Sequence, residues 1–124
     1  MLRKLIRQTT DDPFGLVKEI GLRLPDVEAS IRYDGSPVLK VNGVFMAGIA
    51  TDESAEADSL VVRCDLDDRE LLLEDAPEIY YVTDFYERHS VVLARLSMLD
   101  QDALRDLLSV SRSLAMERTG KRRR

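Results

Sequence analysis

Tryptophan is absent from the 124 residues, and cysteine and histidine occur once each, as Cys64 and His89. A lone cysteine cannot close an internal disulfide or anchor a cysteine-rich metal site, which fits a reducing cytoplasm. A lone histidine leaves a general base without the positioned partner that proton transfer requires. No apolar run approaches the ~18 residues needed to span a bilayer, and the basic start, Met1 to Arg7, lacks the apolar stretch of a secretory signal. There is no G-x-S-x-G elbow, no Walker loop and no dinucleotide fingerprint. These absences argue against an enzyme, and they point to no cofactor, small-molecule substrate or membrane.

What remains is the composition of one globular domain, 44% hydrophobic and 33% charged, long enough to bury about two thirds of the surface its unfolded chain exposes. The net charge is -5, but its distribution says more. Arg3, Lys4 and Arg7 give residues 1–10 a charge of +3. Arg118, Lys121, Arg122, Arg123 and Arg124 against Glu117 give residues 116–124 a charge of +4, which leaves -12 for the body between. An acidic body with basic ends is a poor general footprint for nucleic acid, which favours a basic face on the fold itself. The expected organisation is an extension over residues 1–12, one domain over 13–116, and a solvated basic tail over 117–124 that could also act as an arm reaching a phosphate backbone.

Asp12-Pro13 reads as a helix cap followed by proline at the first helical position, and Phe14, Val17, Ile20 and Leu24 recur at helical spacing until Pro25. From Val27 the period changes to two, with Ala29, Ile31 and Tyr33 alternating with polar residues up to the Asp34-Gly35 turn. Pro37 opens the next strand, and Asn42-Gly43 marks a second turn. A strict two-residue turn places Leu39, Val41, Val44 and Met46 on one face and Lys40 with Phe45 and Ile49 on the other. A bulge at Gly43 instead aligns Leu39, Val41, Phe45, Ala47 and Ile49 and keeps Lys40 off the apolar face; this is the arrangement expected.

Thr51 to Ser59 alternates acidic and small residues and reads as a mobile loop. Leu60, Val62 and Cys64 then share one face of a strand, with Val61 and Arg63 on the other, so Cys64 reads as a buried structural thiol. Asp67 with Glu70 forms a variant capping box for a helix ending near Asp75, before Pro77. A short strand is expected around Ile79 to Val82, a loop or single turn from Asp84 to Ser90 with His89 exposed, and a closing strand from Val91 to Leu96. Asp100 caps a last helix whose stripe is Ala103, Leu104, Leu107, Leu108, Ser111, Leu114 and Ala115, with order ending at Gly120. Helix, four strands, helix, two strands, helix is most economically an α+β two-layer sandwich, an antiparallel sheet with helices on one face.

Two sets of charges stand out. Lys40, Arg63 and Arg32 fall opposite the main apolar positions and either lie together as a small basic strip on the uncovered sheet face or stand as scattered, solvated charges; Arg95 shares parity with Val91 and Leu93, which leaves its placement open. Asp67, Glu70 and Glu74 follow helical spacing that could bring carboxylates to one side for a hard cation, or simply form a solvated face.

The ordered run Leu24-Pro25-Asp26-Val27-Glu28, Gly35 to Ala47, Leu60 to Asp65, Glu70-Leu71-Leu72, Pro77, Tyr80 to Tyr86 and Leu104 to Leu114 resembles the MmcQ/YjbR family of small bacterial proteins. The resemblance implies a CyaY-like (frataxin-like) α+β fold and a DNA-binding role with a double-wing arrangement. It would place a lysine after Asn42-Gly43 and an aromatic near the start of the last strand, where this chain has Val44 and Ser90-Val91. The leading expectation is therefore a non-enzymatic cytoplasmic protein contacting DNA phosphates through Lys40, Arg63, Arg88 and Arg95, with help from Lys121, Arg122, Arg123 and Arg124. The alternative is an acidic adaptor binding a protein partner or a divalent metal, the latter through Asp67, Glu70 and Glu74, in a frataxin-like manner.

Overall fold

The computed structural model describes residues 12–122, with side chains through residue 119. The N-terminal extension expected over residues 1–12 therefore lies almost wholly outside the described residues, as do Arg123, Arg124 and the side chains of Lys121 and Arg122.

Asp12 does not cap the helix as expected: Phe14 N–H donates to its Oδ1 at 3.1 Å and Gly15 N–H to its carbonyl at 2.9 Å in a turn ahead of the helix, whose cap residue is Phe14. Helix α1 (Gly15–Gly21) follows and buries Val17 and Ile20 beside Phe14. Gly21 packs closely on the sheet, where a Cβ would force the Leu39 Cδ1 methyl to shift. Six strands then build one sheet: β1 (Val27–Ile31), β2 (Pro37–Val41), β3 (Val44–Ile49), β4 (Ser59–Arg63), β5 (Tyr80–Tyr81) and β6 (Val91–Arg95). Their order is β1-β2-β3-β4-β6-β5, and every neighbouring pair is antiparallel. Pro37 begins β2 as expected, and Gly35 at φ +89 makes the preceding turn. Strand β1 ends at Ile31, short of the alternation read to Tyr33.

The β2–β3 hairpin corrects the expected bulge. Val41 pairs with Val44, and Asn42 and Gly43 both have left-handed φ, 49 and 82, so the turn is a strict two-residue one of the primed type that suits Asn-Gly. Lys40 pairs with Phe45 but Leu39 with Ala47, so the extra residue is Met46, within β3. The bulge sends both Met46 and Ala47 into the main core, where each is fully buried. Phe45 goes to the opposite face with Lys40, a pairing that is tolerable because that face is partly open.

Helices α1, α2 (Leu66–Asp75) and α4 (Gln101–Arg122) cover one face of the sheet. The main core lies between, from Leu39, Val41, Met46, Leu60, Val62 and Val92 on the strands to Ile20, Leu104 and Leu108 on the helices. Helix α2 begins at Leu66 with Asp65 as its cap residue, which makes no side-chain bond. Asp67 and Asp68 thus occupy the first turn, where they complement the helix dipole, and the capping box expected at Asp67 is not formed. At α4, Ala103 N–H donates to Asp100 Oδ1 at 2.8 Å, as the cap reading requires. The stop expected at Gly120 does not occur: the helix continues to Arg122, since one glycine costs only about 1 kcal/mol and cannot by itself end a helix.

The reverse face is not wholly bare. A one-turn helix, α3 (Asp84–Glu87), lies over it, and Tyr86 joins Val61, Val91 and Leu93 in a second, smaller core with Phe45 and Tyr81 packed against it. The loop read as mobile is strapped to this layer. Thr51 and Asp52 N–H donate to Tyr86 Oη at 3.2 and 3.1 Å, and Glu56 N–H donates to Tyr81 Oη at 2.8 Å. Its side chains cannot build a core, but its backbone donors find two tyrosine hydroxyls. Together these observations establish an α+β fold with a six-stranded antiparallel sheet.

Candidate functional site

The part of the reverse face that α3 and the loop leave uncovered is a groove of about 730 Å³. Its floor comes from strand alternation. Arg63 follows Val61 onto this side of β4 and donates from Nε to the Phe45 carbonyl at 2.7 Å. Burial, together with the nearby charge of Arg118, lowers the pKa of Arg63, so an anion placed against it would relieve both effects.

Arg32 enters from the turn after β1. Its Nη1 donates to Ser36 Oγ at 2.7 Å and to the Ile49 carbonyl at 3.0 Å, and its guanidinium lies 6.0 Å from the Phe45 ring centroid. Ser36 is itself fixed, donating through its N–H and its Oγ to Asp34 Oδ1 at 2.9 and 2.8 Å; these bonds hold the Asp34 carboxyl below its usual range. Gly48 makes room for this guanidinium, since a Cβ there would stand 2.9 Å from Arg32 Nη2.

The remaining wall follows α3. Thr83 caps that turn and the buried Tyr86 anchors it, which leaves Phe85, Arg88 and His89 at the groove. Arg69 reaches across from α2 and fixes the segment, with Nη1 donating to the carbonyls of His89 and Val91 at 3.0 Å each. Arg118, on the far part of α4, completes the lining.

Four arginines therefore meet in one groove whose lining contains no aspartate or glutamate, in a chain whose body is strongly acidic. Among the described residues the ion pairs involve Arg23, Arg95, Arg105 and Arg112, and none of the four groove arginines.

Of the residues singled out from sequence, Arg63 and Arg88 are brought together here. Lys40 is on the same face but outside the lining, opposite Glu28 on β1 and Phe45 on β3. Arg95 is engaged elsewhere: it forks onto Glu56 and donates to the carbonyls of Pro77 and Glu78 at 3.1 Å. Arg32 and Arg118 belong to the site although neither was among the expected phosphate-contacting residues. Arg32 was legible as a member of the basic strip, whereas Arg118 was counted with the tail expected over residues 117–124.

Asp67, Glu70 and Glu74 are all exposed on α2, and among the described residues no group of three or more His, Cys, Asp or Glu is placed to share a metal ion. Burial pushes the Cys64 thiol up to about 11, with Asp68 and Asp65 adding to the effect. A second cleft of about 430 Å³ runs between α2 and α4, lined by Leu71, Leu72, Leu107 and Val110. No described helix is long and apolar enough to cross a membrane.

A family model described as YjbR matches residues 22–114, a span that contains every strand and most of α4. No curated protein matches the chain.

Proposed function

The chain belongs to the YjbR family, and from that premise we propose that it is a non-enzymatic DNA-binding protein that holds phosphates in the groove of Arg32, Arg63, Arg88 and Arg118. The observation that carries this reading is the meeting of four arginines without a lining carboxylate on a protein of net charge -5. The acidic body repels a polyanion, so on the body the groove is where the potential favours it.

Arginine suits the task, since its planar fork matches phosphate oxygens and stays charged. Phosphate contacts of this kind are sequence-independent and release counterions. Thiol chemistry has little to work with here, because the Cys64 thiol is held protonated.

Fluorescence anisotropy with a labelled DNA oligomer tests the reading. With four phosphate contacts, raising salt from about 50 to about 200 mM should weaken binding roughly 50- to 150-fold. Binding that ignores salt, or none at the lower concentration, would remove it.

A further inference from the structure

We infer that the groove selects single-stranded over duplex DNA, seating an unpaired base against Phe85 while the arginines hold the flanking phosphates; this rests on the phosphate-binding reading and specifies its ligand. Phe85 is a large apolar side chain left 44% exposed, in a wall that also carries Arg88. It is nonetheless held in place. Its ring meets that of Tyr86 at 5.0 Å and 83°, edge to face, and Tyr86 is buried with its hydroxyl tied to the Thr51 and Asp52 amides. His89 flanks it at 6.0 Å with a tilt of 54°. An aromatic that is positioned but not covered, beside Arg88, is the pairing that single-strand binders use: a ring for the base and cations for the backbone.

The shape points the same way. Arg63 is partly buried, rooted on the Phe45 carbonyl at the groove floor, and Phe45 lines the same space under Arg32. A duplex offers its phosphates on a convex surface and keeps its base faces stacked inside, so it can reach the rim arginines but cannot use Phe85 or fill the recess. A strand with a splayed base can do both. The volume, about 730 Å³, lies within the roughly 300–1,000 Å³ of clefts that close around a small ligand.

The test compares, on the full chain at one salt concentration, a labelled oligothymidylate with a duplex of equal length, for the wild type, Phe85→Ala and Phe85→Tyr. The strand should bind at least about tenfold more tightly than the duplex. Phe85→Ala should weaken strand binding by roughly 5- to 150-fold, the worth of one stacked base, with duplex binding and the salt slope unchanged, and Phe85→Tyr should restore it. Thymidine monophosphate should displace the strand only at millimolar concentration; displacement at micromolar concentration would assign the recess to a free nucleotide and overturn the inference. Equal affinity for strand and duplex, or a strand affinity indifferent to Phe85→Ala, would also overturn it while leaving the phosphate reading intact. Absence of salt-dependent binding to either oligomer would defeat both.

Discussion

Arg95 closes on Glu56 through a two-pronged contact, its Nε and Nη2 each 2.8 Å from a carboxylate oxygen, while its guanidinium lies 4.4 Å from the Tyr81 ring centroid. This pair, 39 positions apart in the chain, turns the acidic loop into part of the reverse layer. Arg95→Ala should therefore release the loop without touching the groove. Amide hydrogen exchange at Glu56 and its neighbours should speed up, and the salt slope of DNA binding should not change.

The same contact makes the loop sensitive to acid. The Arg95 hydrogen bond holds the Glu56 carboxyl below its usual value, which in an unfolded chain is about 4.3. A lowered pKa in the folded state contributes stability that is present above the unfolded value and lost as pH falls through the folded one. Protection of the loop amides, taken relative to their intrinsic exchange at each pH, should thus fall below about pH 4.3 in the wild type, and in Arg95→Ala this pH dependence should be weakened.

In the groove, Arg88→Ala should reduce the salt slope of DNA binding by about one, with melting unchanged, since the Arg88 side chain is exposed and donates no hydrogen bond to a described residue. Arg63→Ala should reduce the slope similarly but also lower the melting temperature, because its Nε bond to the Phe45 carbonyl disappears. Lys40→Ala should leave the slope nearly as it was.

Ser111 donates to the Met46 carbonyl at 2.6 Å and both residues are fully buried. Ser111→Ala removes this buried bond to the carbonyl at the bulge and should cost about 1–2 kcal/mol in urea unfolding.

Cys64 should resist alkylation in the folded protein. A thiol pushed up to about 11 has roughly one part in a thousand as thiolate at pH 8. Iodoacetamide should therefore modify it rapidly only after urea unfolds the chain.

The residues also explain how far the sequence could be read. Leu60, Val62 and Cys64 against Val61 and Arg63 needed only strand alternation, and Asp100 needed only its place ahead of a helical stripe; both are local and both hold. The bulge was legible as a conflict, because Lys40 and Ile49 cannot be kept on opposite faces without an extra residue. Its position was not: an insertion at Gly43 or at Met46 resolves that conflict equally well. What anchors Met46 is Ser111, 65 positions away. Arg95 was ambiguous for the same reason, since parity sets its face but Glu56 sets its fate. Arg118 lay beyond the expected domain end at residue 116, yet α4 carries it to the groove. In each case the missing information was a long-range partner, which periodicity does not contain.

The most direct test of the central claim is the location of the bound polyanion. A ¹⁵N–¹H NMR titration with oligothymidylate at low salt should shift the amides around Arg32, Phe45, Arg63 and Phe85 to Val91 together, with one common affinity. Shifts confined to the cleft between α2 and α4, or spread without regard to this groove, would contradict the account.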